Sequence, residues 1–265
     1  MSSMAQSGRL LDIQSVTVEF NAFKALDQLD FSMAYGELRF LIGPSGAGKT
    51  TLLDIITGKT RPTHGRIVFD GLPAIQHLPE HQRVRLGIGR KFQTPSIFGS
   101  LTVAENLEAA ISFRDGLVAL ATRASDKQRR RVIDTLEQIG LTPRAQTRAS
   151  QLSHGEKQWL EIGMLLIQKP KLLLLDEPVA GMTRRERDRT GELLQSIAHE
   201  HAVLVAERDM EFVRRFAHTV TVLHTGKLLC EGPVEAVQND PRVLEIYLGR
   251  AHDDAPAQGR VHVAH

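Results

Sequence analysis

Residues Gly43-Pro44-Ser45-Gly46-Ala47-Gly48-Lys49-Thr50-Thr51 fit the pattern G-x-x-x-x-G-K-[ST]. The chemistry of that pattern is phosphate binding. Glycine lets successive backbone N–H groups turn inward, where side chains would block an approaching phosphate. Lys49 to Thr57 reads as a helix that stops at Gly58. The dipole and unpaired N–H groups at its start favour an anion. In this pattern Lys49 reaches the outer phosphates of a nucleoside triphosphate, and the Thr50 hydroxyl ligates Mg²⁺.

Two more segments suit the same ligand. Lys171-Leu172-Leu173-Leu174-Leu175-Asp176-Glu177-Pro178 is an apolar run closed by two acids. Such a run reads as a strand buried on both faces, and ligands of parallel sheets sit at the carboxyl ends of the strands. Asp176 is placed to bind Mg²⁺, directly or through water. Glu177 is placed to polarise a water against the terminal phosphate. Leu152-Ser153-His154-Gly155-Glu156 precedes a helix carrying Trp159, Leu160, Ile162 and Leu166. Ser153 and Glu156 have the spacing of a capping box, and such a helix start is another anion-binding surface.

The elements that must position these residues follow from periodicity. Leu38 to Ile42 reads as a short strand entering the phosphate loop. Val16–Phe20, Leu29–Met33 and Arg66–Phe69 alternate like half-buried strands, with turn signals at Tyr35-Gly36 and Asp70-Gly71. A helix is predicted over Val103–Ile111. A longer one carries Lys127, Arg129, Arg130 and Arg131, then Val132, Ile133, Leu136 and Ile139. The basic run is assigned to its solvated face. Strands return at Leu172–Leu175, Ala202–Ala206 and Val220–Leu223, with helices between them. The expected fold class is α/β: a phosphate-loop core with a parallel sheet, an antiparallel β subdomain, and a helical subdomain inserted at about residues 95–165. The domain spans 9–250, and residues 1–8 and 251–265 read as disordered ends.

Composition sets bounds. Net charge is +2 over 265 residues, and the pI is about 8.8, too mild to argue for nucleic acid. The single cysteine, Cys230, rules out an intrachain disulfide and suits a reducing cytosol. No signal peptide is visible and no apolar run approaches the length of a membrane span, so any membrane link comes through a partner. The tail histidines His252, His262 and His265 read as solvated rather than as a metal site.

The phosphate loop, Gln93, Leu152–Glu156 and Leu172–Pro178 occur in the order seen in ATP-binding cassette (ABC) ATPases, and the chain resembles that family over roughly residues 10 to 250. The resemblance implies ATP and Mg²⁺ as ligands. It implies that Gln93 lies in a loop sensing Mg²⁺ and the membrane subunit, and that Phe20 stacks on adenine, although Phe20 reads equally well as core. It further implies that Leu152–Glu156 contacts the γ-phosphate held by the opposite subunit, so that two subunits sandwich two ATP molecules. Gly87–Gln93, Leu152–Gly155, Lys157–Met164 and Pro178–Thr183 look like the urea-transporter ATPase of the branched-chain amino acid and amide importers. The partners this implies are a second ATPase subunit in a heterodimer, two membrane permease subunits and an external solute-binding protein. The place implied is the cytoplasmic face of the inner or plasma membrane, and nucleic acid is not implied. The alternatives are a branched-chain amino acid importer ATPase, a soluble cassette ATPase outside transport, and a catalytically silent nucleotide switch motivated by Arg208 alone.

The chain departs from the family pattern at two positions. Arg208 stands where histidine normally donates to the γ-phosphate. The expectation is a pocket that binds MgATP and hydrolyses it slowly, with Arg208 gripping a phosphate or pairing with an acid. Glu156 stands where glutamine is usual. It is expected to fold back onto the Ser153 N–H, which holds its charge aside. Thr183, where most cassettes have aspartate, is consistent with the importer subgroup.

Overall fold

A computed structural model describes residues 8–21, 23–91, 96–115 and 126–253. Its larger sheet contains β3 (Leu38–Ile42), β5 (Ile88–Lys91), β6 (Leu172–Asp176), β7 (Ala202–Ala206), β8 (Thr219–His224) and β9 (Lys227–Pro233). Their order is β5-β6-β7-β3-β8-β9. All neighbours pair in parallel except β9, which closes the edge antiparallel to β8. Every residue of β3, β6 and β7 is buried, as the continuous apolar runs require of strands covered on both faces. A smaller antiparallel sheet has the order β2 (Phe23–Ala34), β1 (Arg9–Phe20), β4 (His64–Phe69). The two sheets meet where the Asp27 N–H donates to the Gly226 carbonyl at 2.9 Å.

The helices are α1 (Lys49–Thr57), α2 (Glu80–Leu86), α3 (Val103–Asp115), α4 (Asp126–Gln138), α5 (His154–Leu166), α6 (Arg184–Ala198), α7 (Met210–Phe216), α8 (Val234–Gln238) and α9 (Pro241–Asp253). Helices α3 to α5 lie between β5 and β6 in the chain. Their Leu107, Leu136, Trp159 and Leu160 share a core with Leu173 and Leu175 of β6. Leu172 and Leu174 point the other way, into a core with Leu52, Leu53 and Ile56 of α1. The strand's two-residue period thus splits one leucine run between two layers. Trp159 fastens α5 to α6: its Nε1–H donates to Thr190 Oγ1 at 2.9 Å, and the Arg189 guanidinium lies 4.2 Å from its ring centre.

Three expectations need correction. Helix α3 continues past Ile111 to Asp115. Helix α9 runs through Ala251–Asp253, into the expected tail; residues 254–265 and 1–7 lie outside the described residues. Lys127, Arg129 and Arg130 are exposed as predicted, but Arg131 donates to the Ile167 carbonyl at the C-terminus of α5. A terminal helix carbonyl lacks an intrahelical donor, so it draws the guanidinium inward. Among the described residues no helix is long and apolar enough to cross a membrane.

Candidate nucleotide site

The loop after β3 is shaped by three glycines at positive φ: Gly43 (150°), Gly46 (78°) and Gly48 (104°). A Cβ at Gly43 would lie 2.2 Å from the Leu223 carbonyl oxygen, and one at Gly48 would lie 2.7 Å from the Ala25 carbonyl oxygen. These two glycines seat the loop against its neighbours. A Cβ at Gly46 would meet nothing within 4 Å, so the bend there faces open space. No side chain caps the start of α1, so its first N–H groups point out of a helix N-terminus, which suits an anion. Lys49 is buried, and its Nζ donates to the carbonyls of Gly43 at 2.5 Å and Pro44 at 3.1 Å. Ser45 and Thr50 are exposed at the same bend. Open glycine backbone, an uncapped helix start, a folded-in lysine and an exposed hydroxyl fit a triphosphate with its cation.

Strand register brings the acids to this loop. Leu41, Ala206 and Asp176 lie side by side across β3, β7 and β6. Asp176 is only 4% exposed. Burial pushes its carboxyl above the ordinary carboxylate range, with Arg90 opposing that shift. Arg90 pairs with Asp176 at 3.5 Å and with Asp54 of α1, so it links the buried acid to the helix that starts at the phosphate loop. Its only signal in the sequence was its place in Gly87–Gln93.

Glu177 follows in the left-handed region at φ 48°, a conformation that costs a non-glycine residue about 1–2 kcal/mol. Its N–H donates to the Ala206 carbonyl at 2.8 Å, which holds the bend. Strain of this kind collects at functional sites. Its carboxylate meets Arg208, whose Nε lies 2.5 Å from Glu177 Oε1; the side chains are 22% and 57% exposed respectively. Of the two expected roles for Arg208, pairing with an acid is therefore the one observed, and the acid is Glu177.

Sequence reasoning passed over Glu207. It is 3% exposed and accepts from the backbone N–H groups of Arg208 at 2.7 Å, Asp209 at 3.1 Å and Val179 at 3.4 Å. Burial raises its carboxyl above the usual range, against those three donors. It knits the bend after β7 to the turn after β6. The signal was available: β7, like β6, is an apolar run that ends on an acid.

The Leu152–Glu156 segment begins α5 as expected. Ser153 Oγ accepts from the Glu156 N–H at 3.2 Å, and Glu156 Oε2 accepts from the Ser153 N–H at 2.9 Å. Glu156 also pairs with Arg144 at 3.2 Å. Its charge is held on the helix start, as anticipated. The segment's side-chain bonds run to Arg144, Ala180 and Glu186 rather than to Gly43–Thr51. Phe20 ends β1 opposite Phe23 and is 50% exposed, so it is not a core residue. Gln93 lies outside the described residues.

An open parallel α/β sheet with a glycine phosphate loop beside two strand-end acids defines a nucleoside triphosphatase of the phosphate-loop class. The ABC transporter family profile matches residues 26–180, and that of the branched-chain amino acid ATP-binding cassette transporter matches residues 227–253. The chain is 33% identical over 252 residues to the high-affinity branched-chain amino acid transport ATP-binding protein BraF of Pseudomonas aeruginosa, covering 91% of this chain and 98% of that protein. LivG of Escherichia coli K12, described in the same words, gives the same identity and coverage. The ADP conformation of MJ1267, an ATP-binding cassette of an ABC transporter, superposes with a TM-score of 0.81 at 28% identity, covering 91% of this chain and 99% of that one. The chain belongs to the ABC transporter family, as an ATPase whose hydrolysis of ATP is coupled to transport.

Proposed function

We propose that this chain energises import of branched-chain amino acids, working at the cytoplasmic face of a membrane as a peripheral subunit. The observation that carries this reading is the match of residues 227–253 to the branched-chain amino acid cassette. Similarity to BraF and LivG over nearly their whole length supports it. Urea, expected from the residue runs, ranks second, because those runs alone speak for it.

Residues 9–250 act as one cassette, with its helical part at about 95–165. ATP sits with its phosphates in the Gly43–Thr51 loop. Lys49 exchanges its carbonyl partners for phosphate oxygens, and Phe20 offers an exposed face to the base. Thr50, Asp176 and Gln93 would hold Mg²⁺, which would neutralise phosphate charge when bound. Glu177 takes the proton of the attacking water. A second cassette subunit supplies its own signature segment, while Leu152–Glu156 of this chain faces the partner's ATP. Dimeric cassette structures, such as MJ0796 bound to ADP and Pi at 25% identity and a TM-score of 0.71, support the pairing. Two permease subunits and an external binding protein complete the importer, and the partner subunit differs from this chain.

The test is uptake by vesicles holding the assembled complex. ATP-driven accumulation of labelled leucine is expected, and Lys49→Ala abolishes it. A lost charge-assisted hydrogen bond is worth about 1.5–3 kcal/mol, or roughly a 10- to 100-fold weaker hold on ATP. Uptake of urea and not leucine would restore the second reading.

A further inference from the structure

One acidic side chain outside the nucleotide machinery touches the start of two helices at once. Glu186 lies in the first turn of α6 and makes a second capping box: Glu186 Oε2 accepts from the Thr183 N–H at 2.9 Å and from Thr183 Oγ1 at 2.8 Å, and the Glu186 N–H donates back to Thr183 Oγ1 at 3.3 Å. Its other oxygen, Oε1, accepts from the hydroxyl of Ser153 at 3.3 Å. Ser153 has one hydroxyl proton to give. That proton is committed to Glu186 while the serine oxygen accepts from the Glu156 N–H.

The contact is tightly packed. A Cβ at Gly155 would lie 2.4 Å from Glu186 Oε1, so the glycine leaves room for the carboxylate in this position. A second bond runs beside it, between His154 Nε2 and the Ala180 carbonyl at 3.0 Å. The start of α5 is therefore tied twice to the turn that leads from Glu177 to Thr183. The donors from Thr183 hold the Glu186 carboxyl below its ordinary range, so it is an anion at neutral pH.

We infer that Glu186 is a positioning residue which occupies the Ser153 hydroxyl until a phosphate takes it, and which passes that exchange to the turn carrying Glu177. This rests on the reading that Leu152–Glu156 faces ATP bound by a partner subunit. An arriving phosphate competes with a carboxylate for one proton donor. When Ser153 turns to the phosphate, Glu186 loses its only contact with α5 among the hydrogen bonds of the described residues. The turn from Glu177 to Thr183 then keeps the His154–Ala180 bond as its remaining side-chain tie to the start of α5. One exchange at the partner's ATP thereby reaches this chain's own hydrolytic acid.

The experiment measures ATP turnover of the assembled transporter carrying Glu186→Gln or Glu186→Asp, each also in a Ser153→Ala background. Gln weakens the hold by replacing a charged acceptor with a neutral one, roughly half as strong. Asp keeps the charge and the first-turn position but withdraws the reach to Ser153. Both are expected to lower KM for ATP about fivefold, the lower end of usual site–site coupling, with kcat moving less, and to bring the Hill coefficient toward one. In the Ser153→Ala background neither substitution moves KM further. A fall in kcat and melting temperature with KM untouched would overturn the inference, leaving a helix cap only. So would a KM effect that persists in full without the Ser153 hydroxyl. If crosslinking of the wild-type complex placed Ser153 away from the partner's ATP, the dimer reading itself would fail, and that result is distinct from the KM outcomes.

Discussion

Arg208 and Glu156 are both departures from the usual cassette sequence, and the structure treats them differently. Glu156 is spent on its own helix start, between the Ser153 N–H and Arg144. Glu156→Gln should change the KM for ATP of the assembled complex by less than about fivefold, since a surface ion pair of this kind contributes about 0–1 kcal/mol. A larger drop in KM would show that its charge does reach the partner's phosphate. Arg208 instead grips Glu177, the group proposed to take the proton of water. More than half of the Arg208 side chain is exposed, so the pair restrains Glu177 weakly; the same 0–1 kcal/mol gives at most about a fivefold effect on rate. Histidine at 208 would free Glu177 and add a donor near the phosphate. Arg208→His is therefore expected to raise ATP turnover of the assembled complex by up to about fivefold. Turnover equal to that of the unaltered chain would remove the idea that position 208 slows hydrolysis.

At the scale of elements, the contact between α6 and α7 gives the most direct stability test. Gly191 of α6 faces Phe216 of α7, and a Cβ there would lie 2.4 Å from the ring. Phe216 in turn packs on Phe212, with ring centroids 5.0 Å apart, so the ring has little room to retreat. Gly191→Ala is expected to destabilise by about 1–3 kcal/mol through overpacking, even though alanine favours a helix. Differential scanning calorimetry that shows a stabilised variant would refute this packing account. Thr183→Ala removes the cap of α6 and should cost about 1 kcal/mol. The same comparison shows what could be read in advance. Helix α1 was legible to its last residue because Gly48 and Gly58 bracket it at φ 104° and 92°. Strands β3, β6 and β7 were legible because burial on both faces demands unbroken apolar runs. Strand β9 was not, because it is an edge strand without a buried residue and carries no period. Helix α2 was missed because it is two turns of chain held by Arg83, which bonds the Leu78, Ile55 and Ile56 carbonyls from a fully buried position, and strand β5 because it is four residues ordered by pairing with the distant β6. The loop, Asp176 and Glu177 are local motifs and were visible. Arg90 works through partners distant in the chain, which no local pattern records; Glu207 and Glu186 sit in local patterns, but their bonds to Val179 and Ser153 do not.

For the whole molecule, the buried acids give stability a definite dependence on pH. Asp176, Glu161 and Glu207 are each raised, first of all by burial. Glu161 faces Lys91 at 3.7 Å, and burial lowers that lysine. An acid whose folded value lies above its unfolded value favours the protonated folded state. Its contribution is fully present below the unfolded value, 3.8 for Asp and 4.5 for Glu, and is lost as pH rises through the folded value. Partly exposed carboxylates held by cations, such as Asp27 and Asp240, act in the opposite sense and lose their contribution as pH falls. Their values are lowered, so they titrate below the ordinary carboxylate range, and the buried acids dominate the slope above 4.5. Glu207 shows the effect best, since burial is its largest cause and its donors are backbone groups that do not titrate, with the Glu177 charge adding to the rise. Glu207→Gln should be less stable overall, because an amide cannot accept all three N–H bonds as well as a carboxylate does. Its melting temperature should nevertheless fall less steeply than that of the unaltered chain as pH rises from 4.5 toward neutrality. Scanning calorimetry of both proteins across that range decides the matter: parallel curves would mean that Glu207 is ionised in the fold at no cost, and that the three backbone donors outweigh its burial.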